Sequence, residues 1–383
     1  MHRRTFTRLS IASLLCAPHL AQARKPQSVT IVGAGSAGLT AGYHLAKAGI
    51  EVQILEASKN WGGRVKRFKG LGDMPLDLGA EWIHDDPNIF GRMIGQGPTD
   101  LGIRTINYRP QTYKFWHNNR LNKFNALRNF YQEVKFLDTT WYGFFERFML
   151  PTVAQNISFG AQVTHVAEQG NRLSLRLKDG RSLDTDKILV TVPISVLKRG
   201  QISFSKNLTP PNLTALKDVD FGSGFKAFLQ FSERFYPDML FEGARSSILA
   251  DTWAEKIYYD AVFGKPTRQN ILGLFSVSEK PTRRSALNNA DLVNDILSEL
   301  NEMFGGVAKA SFSGAAVQNW NAEQHIQGSY SMENRSPYDL SEILAPVSGK
   351  VFFAGEALGG DAQSTVHGAA FSAISAVEKL LNE

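Results

Sequence analysis

The stretch Val29-Thr30-Ile31-Val32-Gly33-Ala34-Gly35-Ser36-Ala37-Gly38 runs an apolar strand straight into Gly-x-Gly-x-x-Gly. In that pattern Gly33 permits a tight turn, Gly35 lets the backbone approach a pyrophosphate, and Gly38 lets the next helix pack closely on the sheet. Amides at the helix start, Ser36 among them, then face an anion. Leu39, Tyr43 and Ala46 keep a helical face, Gly49 punctuates the end, and Ile50-Glu51-Val52-Gln53-Ile54-Leu55 reads as a second strand. Glu56 stands at its carboxyl end, at about the 20-residue spacing of an acid that holds an adenosine ribose. A plain structural turn is the alternative in a chain with 33 glycines, but strand, helix, strand and acid in this order favour a dinucleotide site.

With 383 residues the chain is long enough for two packed lobes. Hydrophobic residues make up 43% and charged residues 20%, an ordinary globular balance. The formal charge of +6 owes three of its positive charges to Arg3, Arg4 and Arg8; without residues 1–23, 39 basic residues face 36 acids. No basic stripe remains to suit nucleic acid. Arg3-Arg4-Thr5-Phe6-Thr7 reads as a twin-arginine start, Leu9 to Ala17 as a short apolar core, and Ala21-Gln22-Ala23 as a cleavage site. These features predict a signal over residues 1–23, export of the folded protein, and a periplasmic or secreted location without a stable membrane anchor. A disordered basic tail is the alternative. Cys16, the only cysteine, would leave with the signal, so disulfides, thiolate metal sites and cysteine nucleophiles are not expected.

The fold class read from these patterns is α/β. A Rossmann-like nucleotide-binding lobe is assembled from the discontinuous segments 28–87, 156–204 and 346–383. An α+β lobe with a mixed sheet and covering helices takes 88–155 and 205–345. Leu173 to Leu177 alternates before the turn Lys178-Asp179-Gly180-Arg181, predicting a hairpin, and Lys187 to Val192 reads as a buried strand stopped by Pro193. Phe225 to Phe231 and Asn270 to Phe275 alternate as strands, whereas Leu292, Ile296, Leu300 and Phe304 have helical spacing. The aromatic-rich stretch from Tyr108 to Phe148 reads as short helices covering the site.

The first unit alone does not choose between a nicotinamide and a flavin dinucleotide. Asn60-Trp61-Gly62-Gly63-Arg64-Val65 adds a second glycine pair followed by an arginine suited to a charge-assisted pyrophosphate contact. Taken alone, Arg64 would be a surface arginine after a turn.

From here the chain resembles the flavin-containing amine oxidases, the family of monoamine oxidases, polyamine oxidases and their histone-demethylating relatives. The resemblance rests on Gly33 to Arg64, Asp77-Leu78-Gly79-Ala80-Glu81-Trp82-Ile83-His84, Val190-Thr191-Val192-Pro193 and Phe221-Gly222-Ser223-Gly224-Phe225-Lys226. It continues through Gly328-Ser329-Tyr330-Ser331, Phe353-Ala354-Gly355-Glu356 and Ser364-Thr365-Val366-His367-Gly368-Ala369. The region after Pro87 looks shorter than the family's helical insert. The resemblance implies noncovalent FAD, Ser329 standing near the position of the cysteine that carries covalent flavin in some members. Glu56 would take the adenosine ribose, Arg64 the pyrophosphate and Glu356 the ribityl chain. Further cofactor contacts are implied for Gly63, Gly79, Ala80, Glu81, Trp82, Val163, Pro193, Trp320, Gly355 and Thr365. The helix opening near Thr365 would aim its amide dipole, through Val366, at the pyrimidine edge of the reduced flavin. Val366 is equally a packing residue of that helix.

Lys226 shares a strand face with Phe228 and Gln230, and the sequence alone would leave it solvent-exposed. The resemblance instead implies a catalytic lysine bridged through water to flavin N5. The implied reaction takes a hydride equivalent from the carbon beside a neutral amine, with imine hydrolysis and return of the electrons to O2 as peroxide. Tyr330 would be one wall of an aromatic cage, with Thr365 at the position of the other. Glu81 and His84 follow the pattern at the mouth of polyamine-type sites, with Glu81 facing a distal ammonium. Glu81 as a surface carboxylate and Tyr330 as a core tyrosine are the alternatives. Expected partners are a small amine, O2 or another electron acceptor, the twin-arginine export machinery and, as an open option, a second copy in a homodimer. No metal is expected. An L-amino-acid oxidase or other flavin oxidoreductase of the same fold is the second enzyme reading, and a non-catalytic flavin-binding partner or redox relay a third.

Overall fold

A computed structural model describes residues 28–123, 133–242 and 256–383. The expected signal over residues 1–23, with Cys16, lies outside the described residues, as do residues 124–132 of the aromatic stretch.

Five parallel strands form the sheet that carries the glycine turn, in the spatial order Val351–Phe353, Lys187–Val190, Ser28–Val32, Glu51–Glu56 and Ile157–Phe159. Its central strand is apolar on both faces because both are covered: Val29 and Ile31 join one buried cluster, and Val32 joins another. The first cluster includes helix Ser36–Lys47 and the C-terminal helix Val366–Asn382; the second takes in the hairpin Arg172–Leu177 and Ser182–Thr185. Burying apolar side chains on both faces of one sheet is what ties segments so far apart in sequence.

The second sheet has seven strands, ordered Phe312–Asn319, Ser223–Phe231, Asn270–Ser278, Lys256–Asp260, Met239–Glu242, Tyr113–His117 and Arg120–Lys123. Its pairs are antiparallel except that Met239–Glu242 and Tyr113–His117 run parallel. Strand Ser223–Phe231 is second from the edge. Phe225, Ala227, Leu229 and Phe231 pack towards helix Asn289–Met303, while Phe228 packs with Leu76, Tyr108 and Tyr259 on the opposite face. A strand covered on both faces buries residues that period-two alternation assigns to solvent, and Lys226 is the residue most affected.

The stretch from Tyr108 to Phe148 corrects the expectation of short helices. It contains strands ending at Tyr108 and spanning Tyr113–His117, Arg120–Lys123 and Glu133–Phe136; among the described residues of the stretch, only Trp141–Phe148 is helical. Aromatic density obscured the alternation: Tyr113 and Phe115 are buried, and Lys114 and Trp116 are less so. Between Pro87 and this helix the described residues hold one helix, the five-residue Ile89–Met93.

Candidate active site

The glycine turn is built as its pattern requires. Gly33 has φ of +110°, and a Cβ on Gly38 would lie 1.9 Å from the carbonyl oxygen of Gly33, so the helix approaches the turn only with glycine there. Gly35 caps helix Ser36–Lys47 without any side-chain hydrogen bond, leaving the first-turn amides to an incoming anion. The second glycine pair docks onto this turn, Gly62 N donating to Ala34 O at 2.8 Å. Glu56 is buried at the strand end; its Oε2 accepts from Ala34 N at 2.8 Å and its Oε1 from Ser58 N at 2.7 Å.

A cavity of about 510 Å³ extends from this turn to the second sheet. At one end it is lined by Gly33, Gly35, Ser36, Glu56, Gly63 and Val163. Arg64, Pro193, Gly355, Glu356 and Val366 also line it, as do Gly79, Ala80, Trp82, Trp320, Tyr330 and, from the second sheet, Lys226. Gly38 stays outside the lining and acts through packing.

Two helix starts meet here. Ser36 Oγ donates to Val366 O at 2.9 Å, linking the first helix to the C-terminal one. Thr365 caps the latter, its Oγ1 accepting from Gly368 N at 2.9 Å and donating to Ala362 O at 2.7 Å. Thr365 lines the cavity, but its hydroxyl is committed to the cap. Arg64 Nη1 donates to Glu356 Oε1 and to Ser329 O, both at 2.9 Å, while Ser331 Oγ donates to Glu356 Oε2 at 2.6 Å. Half-buried Arg64 thus compensates the charge of buried Glu356, which would be costly to leave unpaired in the interior. Ser329 Oγ, by contrast, is buried on the cavity wall with no hydrogen-bond partner, an unfilled capacity that suits a polar ligand.

Lys226 is 3% exposed and borders the cavity. Its Nζ donates to Glu81 Oε2 at 2.6 Å and to Gly79 O at 3.1 Å. Burial pushes the lysine below its ordinary value, against the opposing charge of Glu81. Glu81 is also buried, and its other oxygen lies 2.7 Å from Lys135 Nζ, while Tyr259 donates to Oε2 at 2.5 Å. Burial opposes ionisation of Glu81, but the two lysines outweigh it and hold the carboxyl far below the carboxylate range. This corrects the expectation that Glu81 receives a substrate ammonium, for both of its oxygens already serve lysines. Asp77, buried beside this group, is pushed well above the usual carboxylate value by burial and then by the charge of Glu81.

Tyr330 is a half-buried wall whose hydroxyl is pushed up to about 12, by burial and then by Glu356. It stays neutral at working pH, which leaves it a shape-giving and polar wall and not a base. His84 is exposed at the cavity rim, its Nδ1 3.1 Å from Glu133 Oε2. Ile257, Phe275 and Val277 of the second sheet supply an apolar wall. The sequence does not single out Lys135, Tyr259 or Glu133. Lys135 and Glu133 alternate with Val134 and Phe136 as surface residues would, and no local pattern marks them.

Comparison with known proteins agrees with this architecture. Residues 149–381, more than half of the chain, match the family described as flavin containing amine oxidoreductase, and residues 31–96 match an NAD(P)-binding Rossmann-like domain. Polyamine oxidase 5 of Oryza sativa subsp. japonica is 25% identical over 93% of this chain and 88% of its own length. The L-amino-acid oxidase of Vipera ammodytes ammodytes is 22% identical over 88% of this chain and 89% of its own. A solved structure of wild-type putrescine oxidase bound to putrescine shares the fold, with a TM-score of 0.73 at 15% identity, covering 93% of this chain and 99% of that one. The chain therefore belongs to the flavin containing amine oxidoreductase family, an oxidoreductase acting on CH–NH2 groups with FAD as its cofactor.

Proposed function

We propose that this protein oxidises a small amine or polyamine. The observation that carries the reading is one continuous cavity joining the glycine turn and Glu56 to Lys226 and Tyr330. The residues fit FAD: bare glycine backbone and an uncapped helix start for a pyrophosphate, Glu56 at a strand end for a ribose, and the unpartnered Ser329 Oγ further along. When bound, FAD supplies the two-electron acceptor that takes an amine to its imine and passes the electrons to O2 as peroxide, the imine then hydrolysing to a carbonyl.

The chain's own residues supply position and charge. The C-terminal helix start aims its amide dipole into the cavity through Val366, where it stabilises negative charge. Lys226, held by Glu81 and Gly79 O, presents one amine to the cavity at which a proton or a water is held. Tyr330 and the wall of Ile257, Phe275 and Val277 exclude water and hold an alkyl chain. At the rim, Glu133 beside His84 takes the distal ammonium of a diamine or polyamine, the role that Glu81 cannot fill.

Anaerobic mixing with putrescine, spermidine, tyramine and tryptamine tests the reading. Bleaching of the flavin by at least one amine is expected, and an unbleached spectrum with all four would sink it. Amino acids belong in the same panel because of the viper relative. Their carboxylate would need a cation to meet it, and the cavity's Arg64 is already paired with Glu356, while Lys226 is engaged by Glu81. FAD is held noncovalently in this reading, so acid precipitation should leave the yellow colour in the supernatant. From the twin-arginine start and Ala21-Gln22-Ala23 we also infer export of the folded, loaded protein to the periplasm or beyond. Replacing Arg3 and Arg4 by lysine should retain it in the cytoplasm.

A further inference from the structure

Beneath the cavity the fold buries two lysines on one carboxylate. Glu81 gives Oε1 to Lys135 at 2.7 Å and Oε2 to Lys226 at 2.6 Å, and Tyr259 shares Oε2. The titratable groups that face Lys226 from the segments packed against it are Asp77, Glu81, Lys135, Tyr259 and Lys265. Across the sheet its register neighbours are the uncharged Phe275 and Gln318. Glu81 is the carboxylate in contact with both lysines, and Asp77 is held well above the usual carboxylate range by burial and then by Glu81; one such carboxylate compensates one ammonium, and a second ammonium would stand without a counter-charge in a medium that solvates it poorly.

The two lysines are not equivalent as hosts for that charge. Lys135 is 1% exposed, lies over the rings of Trp82, Tyr108 and Tyr259 at 5.1, 5.2 and 5.4 Å, and donates to Ala261 O at 2.9 Å. Lys226 has two rings, Phe228 at 5.2 Å and Tyr259 at 6.0 Å, a longer bond to Gly79 O at 3.1 Å, and a carboxylate oxygen that Tyr259 also uses. Each lysine has two oxygen acceptors, but three aromatic faces against two, and a carboxylate oxygen not shared with Tyr259, make Lys135 the better ammonium site. Lys226, unlike Lys135, borders the cavity.

We propose that, of the two lysines on Glu81, Lys135 holds the ammonium charge and thereby keeps Lys226 an uncharged amine facing the cavity. Lys135 is then a positioning residue, acting on the reaction through the proton inventory of Lys226. An uncharged Lys226 has a lone pair with which to accept a proton beside the substrate, and it does not repel a cationic amine at the entrance. The inference rests on the role given to Lys226 above. It concerns where a proton resides, however, and can be read without turnover.

The test is NMR titration of the FAD-loaded enzyme carrying 13C at the lysine ε-carbons, with the two signals assigned from Lys226→Met and Lys135→Met. In the wild type, Lys226 is expected to lose its proton at lower pH than Lys135. In Lys135→Met the midpoint of Lys226 should rise by about one pH unit or more, a tenfold fall in its uncharged fraction at a given pH on the acid side, with the acid limb of kcat/KM moving alongside. If Lys135→Met does not fold, Lys135→Arg provides the assignment and, having kept the charge, should leave the Lys226 midpoint in place. Loss of the Lys135 proton first, an unmoved or lowered midpoint in Lys135→Met, or a midpoint raised by a full pH unit in Lys135→Arg overturns the proposal. An enzyme that shows the expected titration but is reduced by no amine would refute the proposed substrate and leave the proton assignment standing.

Discussion

Ser36 and Val366, 330 residues apart, are joined by a 2.9 Å hydrogen bond that sets the starts of two helices side by side at one cavity. The bond fixes the helix that would meet the dinucleotide's phosphates against the helix that would meet its ring. Ser36→Ala should cost about 1 kcal/mol of this alignment. FAD affinity should fall about fivefold, measured by titrating apoprotein with FAD; affinity equal to wild type would make the contact incidental.

Gly38→Ala should be far more damaging, because the added methyl would sit 1.9 Å from the Gly33 carbonyl oxygen. Moving the helix off the turn costs about 1–3 kcal/mol as overpacking and disrupts the phosphate cradle. Protein purified with its visible flavin absorbance and melting temperature intact would contradict the close-packing role.

Lys226→Met is expected to retain FAD, since the lysine's bonds are to Glu81 and Gly79 and its loss leaves the glycine turn untouched. Peroxide-linked turnover should fall about 10²- to 10⁴-fold, the range of a lost general acid or base. Unchanged turnover removes Lys226 from the chemistry.

Glu133→Gln should discriminate between substrates. A diamine is expected to lose about tenfold in kcat/KM, as for one charge-assisted contact worth about 1.4 kcal/mol, whereas a monoamine of equal length should be unaffected. Equal losses for both would place Glu133 outside substrate recognition.

Glu81→Gln tests the buried pairings through pH. The carboxyl of Glu81 is held below its ordinary 4.5 in the folded state, so its stabilising contribution is complete above that pH and is lost as pH falls through the folded value. Removing it should cost about 3–5 kcal/mol at pH 7, and the gap to wild type should narrow in acid. Denaturant unfolding of FAD-saturated protein at neutral and acidic pH measures this; a gap that widens in acid has the wrong sign.

The backbone geometry at the glycine-turn end of the cavity is legible in the sequence. Gly33, Gly38 and Glu56 act through turn geometry, helix packing and a strand end, all of which are encoded within about twenty residues. The hairpin after Val163 and the strand ahead of Pro193 were legible for the same reason, since alternation and proline report local backbone directly. The stretch from Tyr108 to Phe148 hides its strands because dense aromatic residues satisfy several periodicities at once. Resemblance points to Glu81 and Lys226, but no local pattern encodes their pairing with each other or with Lys135.

Local chemistry in the chain was enough to specify a dinucleotide turn, the strands that flank it and a lysine worth testing. The three-dimensional packing alone put Lys135, Glu81 and Lys226 into one dry cluster and left Glu133 at the rim. The physical reason is that the charge a side chain carries, and what it can bind, depend on solvent access and on neighbours brought from other segments. In Lys226 both were set by a sheet covered on its two faces, a property that no window along the chain contains.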